Sequence, residues 1–303
     1  MKSILLYTMT VLIWGSTWLA IEFQLGEVNE VVSLCLRFTL AAICMWAYVI
    51  IKRMPMRFNL KNHCFFILLA MGNFGLNYLM LYFAQGYLNS AMASIAFSLL
   101  LVLNIINTRL FFGKPIAKRI YFGATFGLFG ITALFWHDLR QFDLNSGAII
   151  GLGLALLGTL IASFGNMVSV RNSNNNIGVL QGNAWGMLYS SILLGAYVVL
   201  AGESLIIHAN WQYWSSLLYL AVFGTVIAFA SYFSLLKNIG PEKASYIIVL
   251  FPLVAVLLST YFENFTWQSN TFIGFSLVLL GNAIVLTPFD KLKLHLIQSP
   301  VRS

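Results

Sequence analysis

The chain has 303 residues, of which 60% are hydrophobic and 9% are charged, and its formal net charge is +8. So few charged residues exclude a soluble globular domain of this length, because they leave too little polar surface. The positive charges are divided among short segments without a long basic face, which excludes nucleic acid as a partner and favours anionic membrane lipid.

Ten apolar segments follow one another along the chain, and each is about as long as a bilayer crossing. A hydrocarbon core of about 30 Å requires about 20 helical residues. In chain order the predicted spans are residues 4–22, 30–51, 62–87, 91–112, 120–136, 147–170, 177–201, 211–236, 244–261 and 267–286. The sequence therefore predicts an all-α integral membrane protein with ten transmembrane helices.

The basic residues concentrate on one side of these spans. With a cytoplasmic amino terminus, fourteen of the seventeen Lys and Arg residues fall inside the cell, Arg140 alone falls outside, and Arg37 and Arg109 lie within spans. Seven of the nine carboxylates lie at or beyond the outer ends, namely Glu22, Glu27, Glu30, Asp138, Asp143, Glu203 and Glu263. Because short loops obey the positive-inside rule, both termini are predicted to be cytoplasmic. The prediction is a multi-pass protein of the cell membrane, with the bacterial inner membrane favoured.

The two halves of the chain resemble each other. A shift of 151 residues lays Gly123 on Gly274 and Gly130 on Gly281. Each half has five spans, and an odd number of crossings makes the second half enter the membrane from the opposite side. The sequence thus predicts two inverted five-helix repeats, residues 1–143 and 144–290, followed by a basic cytoplasmic tail at 291–303. Inverted repeats are typical of transporters that work by alternating access.

Short motifs in both halves follow an order that one known family shares. They are Trp14-Gly15-Ser16-Thr17-Trp18-Leu19-Ala20-Ile21, Leu36-Arg37-Phe38, Gly240-Pro241, Ala244-Ser245, Pro252, Glu263, Gly274 and Gly281. With the five-plus-five layout, they resemble the drug/metabolite transporter superfamily of EamA type over essentially the whole chain. The resemblance implies a ten-helix carrier that moves small metabolites, often exporting amino acids or toxic compounds, through a cavity between its halves. It does not imply a particular cargo.

The first half departs from the second at two positions. Pro252 and Glu263 correspond to Leu101 and Phe112, so the fourth and ninth spans are expected to bend differently. Proline inside a helix frees a backbone carbonyl, which is tolerated where neighbours or a wet cavity satisfy it. Pro252 is therefore predicted to be either a hinge of the transport cycle or a static kink.

Polar and aromatic residues inside the spans are candidates for a substrate-binding site, because lipid offers a polar side chain no partner. Asn73 and Asn77 are four residues apart, and Asn104 and Asn107 are three apart, so each pair points one way from its helix. Amides can donate to and accept from a polar cargo, although hydrogen bonding between helices would explain any single one of them. The aromatic candidates are Trp14, Trp18, Tyr78, Tyr82, Tyr232 and Tyr246.

Arg37 is a permanent charge placed about 10 Å inward from Glu30, at a rise of about 1.5 Å per residue. Such a guanidinium must face the protein interior and find a partner there. Glu22, at the outer end of the first span, is the predicted partner if the first two helices are neighbours. The two residues would then form a structural ion pair or an outer gate, and Arg37 could alternatively anchor a substrate carboxylate.

Groups that would indicate catalysis or strong proton coupling are missing from the sequence. No Asp or Glu lies near the centre of a predicted span, and there is no P-loop, no intramembrane cluster of metal ligands and no CxxC pair among the three cysteines. We therefore expect no cofactor, no metal and no catalytic residue. Transport is expected to be driven by the substrate gradient, or weakly by protons.

The predicted function is that of a secondary transporter, acting as a monomer or homodimer, which exports small metabolites such as amino acids or amines. One alternative is a membrane sensor or assembly factor that keeps the carrier fold without transporting. Another is an integral membrane enzyme, which would require a constellation of catalytic groups that the sequence does not show.

Overall fold

A computed structural model of the chain describes residues 2–136, 146–203, 209–232, 234–235, 238 and 247–287. Every regular element in these ranges is a helix. In chain order the helices are α1 (Lys2–Glu22), α2 (Glu30–Ile51), α3 (Leu60–Gln85), α4 (Ser90–Phe112), α5 (Lys118–Leu134), α6 (Gly147–Asn174), α7 (Val179–Leu200), α8 (Trp211–Tyr232), α9 (Ile247–Phe262) and α10 (Ser269–Leu286).

Most of these helices are long enough to cross a bilayer. Eight have both the length and the hydropathy of a transmembrane span, and α9 is a shorter apolar helix of 16 residues. The remaining helix, α5, has 17 residues. The chain is thus an all-helical, multi-pass membrane protein over the described residues, whereas the full count of ten crossings stays a prediction.

Five helices begin at side chains that cap their first turn. The capping residues, each accepting a hydrogen bond from a backbone N–H of the turn that follows, are Asn29, Asn59, Asn89, Ser146 and Asn210. Such caps satisfy N–H groups that would otherwise lack a partner at a helix start. The starts of α2, α6 and α8 consequently coincide with the predicted boundaries of their spans.

Helices α3 and α8 each contain one wide, π-helical turn. The turns span Ala70–Gly75 and Val222–Ile227, and their positions differ by 152 residues, close to the offset between the two halves. In each turn a glycine permits close contact with a neighbouring helix. A Cβ on Gly72 would lie 2.6 Å from a backbone atom of α6, and one on Gly224 would lie 2.7 Å from a side chain of α1. Such turns are frequent at functional sites.

Helices α4 and α9 differ in regularity, in line with the unequal placement of proline. α4 is interrupted at Ser98 and Leu99, where the Ser98 hydroxyl donates to the carbonyl oxygen of Ile95 at 2.6 Å. Hydroxyl groups that bond back to the preceding turn compete with the bonds of the helix and bend it. α9 continues as a helix through Pro252. The interruption of α4 thus has a cause other than proline, whereas α9 stays helical through its proline.

Glycines hold α5 and α10 in close antiparallel contact. A Cβ on Gly281 of α10 would lie 2.5 Å from the carbonyl oxygen of Gly123, and a Cβ on Gly130 would lie 2.7 Å from that of Gly274. Small residues at these positions let the two backbones approach closely, which is how helices gain van der Waals contact in lipid. The α5–α10 pair contributes no lining residue to the cavity described below.

We expect Gly281→Val to lower both the yield of folded protein and the thermal midpoint, because the added side chain must push α5 and α10 apart. Overpacking typically costs about 1–3 kcal/mol. The measurement is size-exclusion chromatography and thermal unfolding of the purified protein in detergent. Gly153→Val is the matched control, since Gly153 lies on α6 with no neighbouring atom within 4 Å of an added Cβ. Equal behaviour of the two variants would contradict the packing role.

Candidate functional site

A cavity of about 620 Å³ lies among the helices of both halves. Its lining residues in the described part of the chain come from α1, α2, α3 and α4 of the first half and from α6, α7, α8 and α9 of the second. Seven of the residues predicted to bind substrate line it, namely Trp14, Trp18, Asn73, Asn77, Tyr78, Asn104 and Tyr232. Arg37 lines it as well. The structure therefore brings most of the predicted residues to one place, while their role in binding stays a prediction.

Three asparagines form a hydrogen-bonded chain on the cavity wall. The amide of Asn73 donates to Asn166 Oδ1 at 3.1 Å, and the amide of Asn166 donates to Asn104 Oδ1 at 3.2 Å. The chain joins α3, α6 and α4, and all three residues line the cavity. Asn166 is a lone amide in its predicted span, so a pattern of amides three or four residues apart does not single it out.

Two further amides of the cavity wall have unused hydrogen-bonding capacity. Asn77 Oδ1 and Asn183 Nδ2 are buried and make no hydrogen bond. Asn183, near the start of α7, was not predicted from the sequence either. A buried polar atom without a partner is costly, and a ligand in the cavity is one way to satisfy it. The cavity can thus offer a polar cargo both an acceptor and a donor.

Arg37 is 1% exposed, and aromatic rings of α3 surround its guanidinium. The guanidinium carbon lies 4.5 Å from the ring centre of Tyr78, and Nη1 donates to Tyr82 Oη at 3.4 Å. The Tyr82 hydroxyl in turn donates to Gln24 Oε1 at 2.7 Å. The predicted ion pair with Glu22 is absent from this structure, in which α3 supplies the neighbours of Arg37.

Glu22 belongs instead to a cluster at the end of the molecule predicted to be external. Its Oε2 is buried without a hydrogen bond, and its carboxylate is close enough to that of Glu263 for the two to repel each other. Glu263 Oε1 accepts a hydrogen bond from the backbone N–H of Ser90 at 3.0 Å, at the first residue of α4. Glu22 therefore lies where α1, α4 and the connection after α9 meet, and a gating role remains a proposal.

Two predicted substrate-binding residues lie outside the cavity lining. Tyr82 is 1% exposed and holds Arg37, as described above. Asn107 is 4% exposed, and its amide donates to Ser163 Oγ of α6 at 2.8 Å. In this structure each of them bonds to a neighbouring side chain and does not line the cavity, and a role of either in binding stays a prediction. Tyr246 lies outside the described residues, and Pro252 is buried in α9 beside the lining residue Phe251.

An aromatic cluster of Trp18, Phe97 and Phe251 closes the cavity at the end predicted to be external. The ring centres are 5.4 Å apart for Trp18 and Phe97, 6.1 Å for Trp18 and Phe251, and 6.4 Å for Phe97 and Phe251. Behind the cluster, Gln85 Nε2 donates to the Trp18 carbonyl oxygen at 2.9 Å. Phe97 and Phe251 were missed because aromatic residues are common throughout the chain.

The opposite end of the cavity reaches the carboxyl end of α6. Ser173 and Asn174, the last two residues of that helix, line it, as does Val179 at the start of α7. α6 is 28 residues long and continues four residues beyond its predicted span. This end is predicted to be cytoplasmic, because Arg171 lies there. The cavity is thus closed on one side and extends to the other.

The described residues hold no group of three or more His, Cys, Asp or Glu side chains that could bind a metal ion. What they do hold is a mostly apolar cavity with several polar groups, lined by both halves of a multi-pass helical membrane protein, which is a form that membrane transporters take. The chain belongs to the EamA-like transporter family, whose model matches residues 1–136 and 149–287.

Several relatives span nearly the whole chain. The uncharacterized inner membrane transporter YedA of Escherichia coli (strain K12) is 27% identical over 92% of this chain and 88% of its own length. An uncharacterized transporter of Buchnera aphidicola subsp. Schlechtendalia chinensis is 24% identical over 95% of this chain and 93% of its own. One crystal structure, 17% identical, matches 93% of this chain and 96% of that chain with a TM-score of 0.67, which shows a shared fold. The YedA protein and the Buchnera protein are both described as transporters.

Proposed function

We propose that this protein is a secondary transporter of the bacterial inner membrane, which exports small polar or amphipathic metabolites by alternating access. The observation that carries the proposal is the cavity itself, lined by both halves, closed at one end by aromatic rings and extending to the carboxyl end of α6 at the other. With the predicted orientation, this shape is a state that accepts cargo from the cytoplasm.

The contacts between α5 and α10 support the inverted repeats that alternating access requires. With an offset of 151 residues, Gly123 corresponds to Gly274 and Gly281 corresponds to Gly130. Exchanging the two halves therefore turns the Gly123–Gly281 contact into the Gly130–Gly274 contact, as a two-fold axis between the halves would do. The π-helical turns 152 residues apart and the two separate stretches that match the family add to this support.

The lining chemistry supports a small polar cargo. Amide groups at Asn73, Asn104 and Asn166 form one wall, and indole and phenyl rings form others. A pocket that is mostly apolar with a few convergent polar groups is the usual form of a small-molecule site. In transporters built from two repeats, such a site lies between the repeats, so rocking of one against the other exposes it alternately to each side.

The decisive experiment is transport by purified protein in proteoliposomes. Vesicles loaded with one compound of an amino-acid panel should accumulate the same labelled compound by counterflow, without any imposed pH gradient. Empty vesicles control for leakage of the compound. Vesicles that carry Gly153→Val control for effects of mutagenesis and reconstitution. A folded protein that shows no counterflow with any compound would favour the sensor or assembly-factor alternative.

We expect a topology scan to place the ends of the helices on alternate sides. Reporters fused after Arg57, Lys118 and Arg171 should read cytoplasmic, and reporters fused after Asn89, Asp138 and Glu203 should read external. The physical reason is the excess of Lys and Arg in the short loops assigned to the inside. Two neighbouring fusions that report the same side would remove one crossing and contradict the inverted five-plus-five arrangement.

A further inference from the structure

The guanidinium of Arg37 is the one charged group among the described residues that line the cavity. Its charge is permanent, because arginine does not release its proton in proteins. The side chain is 1% exposed, and its hydrogen bond to Tyr82 Oη, at 3.4 Å, goes to a neutral group. A buried charge without a counter-ion is expensive, so its retention at the wall of a cavity requires an explanation.

The hydrogen bonds of Arg37 leave one edge of the guanidinium unused. Nη1 bonds to Tyr82, whereas Nε is buried without a partner and Nη2 makes no hydrogen bond to a described residue. Nε and Nη2 form the edge that binds a carboxylate through two parallel hydrogen bonds. Tyr78, which also lines the cavity, holds the plane of the guanidinium by a cation–π contact at 4.5 Å. The missing partner therefore has the shape and charge of a carboxylate.

The other polar groups of the described cavity lining are neutral amides and hydroxyls. None of the described lining residues is Asp or Glu, so an amine without a carboxylate would meet a cation and no counter-ion. Asn77 Oδ1 is a free acceptor that suits the N–H groups of an amino or amide substituent. The cavity therefore favours a negatively charged group of the cargo beside Arg37 and hydrogen-bonding groups of the cargo beside its amides.

We propose that Arg37 is a specificity-determining residue that selects cargo bearing a carboxylate, including zwitterions, and rejects simple amines. This inference rests on the transport function proposed above and narrows it to small carboxylates. Arg37 acts by binding the carboxylate through its Nε and Nη2 edge, and the carboxylate takes the place of the counter-ion that the described residues do not supply.

The test uses the wild-type full-length protein and matched sets of compounds in counterflow. Phenylalanine, leucine and threonine are each compared with their carboxamides and with the corresponding amines that lack the carboxyl group. We expect counterflow and thermal stabilisation with members that keep the carboxylate, and an affinity at least about tenfold lower without it, the factor that 1.4 kcal/mol provides. Amines that are carried as well as their parent compounds would overturn the inference while leaving the transport function standing. No counterflow with any member would contradict the transport function.

Variants provide a second test of the role of Arg37. Arg37→Gln should keep or raise the thermal midpoint, because it removes a buried charge that has no counter-ion among the described residues, yet it should lose the discrimination between each acid and its amide. Arg37→Lys should restore part of that discrimination. Arg171→Gln is the matched control, because Arg171 also stacks on a ring, at 3.7 Å from Phe65, and bonds to Asn62 outside the cavity lining. Unchanged discrimination in Arg37→Gln would refute the role of Arg37.

Discussion

Asn166→Ala is expected to weaken the apparent affinity for cargo about tenfold or more while leaving the amount of folded protein near that of the wild type. Asn166 is the middle member of the amide chain on the cavity wall, so its loss removes one amide that cargo could bind and releases the amides of Asn73 and Asn104. All three side chains are only partly buried, so water can hydrate the freed amides and the fold is little affected, whereas cargo loses a positioned hydrogen bond. A loss of about 1.4 kcal/mol in binding corresponds to a factor of ten in affinity.

Asn107→Ala provides the contrast for this experiment. Asn107 lies three residues from Asn104 on the same helix, but its amide is buried against Ser163 outside the cavity lining. Its replacement should lower the thermal midpoint and the folded yield, with the apparent affinity of the remaining protein unchanged. Concentration dependence of counterflow, scaled to the protein present in the vesicles, separates the two effects. If Asn166→Ala behaves like Asn107→Ala, the amide chain contributes to packing and the binding site lies elsewhere.

A covalent link across the aromatic cluster is expected to stop transport completely. Phe97→Cys together with Phe251→Cys, in a background without Cys35, Cys44 and Cys64, places two thiols where the rings are now 6.4 Å apart. A short bifunctional thiol reagent would then hold α4 against α9 and keep the closed end of the cavity shut. Alternating access requires this end to open once in every cycle, so no turnover is possible while the link is intact.

Reversal of the link is the internal control. A cleavable reagent followed by a reductant should restore counterflow in the double variant, and the two single-cysteine variants should be unaffected by the same treatment. Electrophoresis of peptide fragments from each side of the link measures how much protein is cross-linked. Full transport by fully cross-linked protein would show that the aromatic cluster of Trp18, Phe97 and Phe251 does not have to open during transport.

The features of the site that the sequence does not predict have one physical cause. Helix packing decides which side chains become neighbours. Arg37 was assigned to Glu22 because consecutive antiparallel helices are the contacts that a sequence suggests. In the structure Tyr78 and Tyr82 of α3 occupy the space beside the guanidinium, and Glu22 turns toward Glu263, which is 241 residues away along the chain. Contacts of that sequence separation carry no local signature.

The same reasoning explains why Asn73, Asn77 and Asn104 line the cavity, as predicted, whereas Asn107 does not. Asn73, Asn77 and Asn104 were selected because lipid cannot satisfy an amide, which is a rule about the solvent and holds for any fold. The rule places a polar side chain in the interior without saying what covers it there. Asn104 faces the cavity, whereas Asn107 meets Ser163 of α6. The difference depends on how α4 and α6 are rotated against each other.

The sequence by itself determined that the chain is a helical membrane protein, where α2, α6 and α8 start and which residue types its interior must hold. These properties follow from hydropathy, from capping side chains such as Asn29 and Asn210, and from the side on which the basic residues lie. Only the tertiary structure decided which interior residues surround a cavity, that one end of it is closed by Trp18, Phe97 and Phe251, and that no described residue is a counter-ion of Arg37. The physical reason is that burial in lipid is set residue by residue, whereas a cavity exists only where several packed helices fail to fill the space between them.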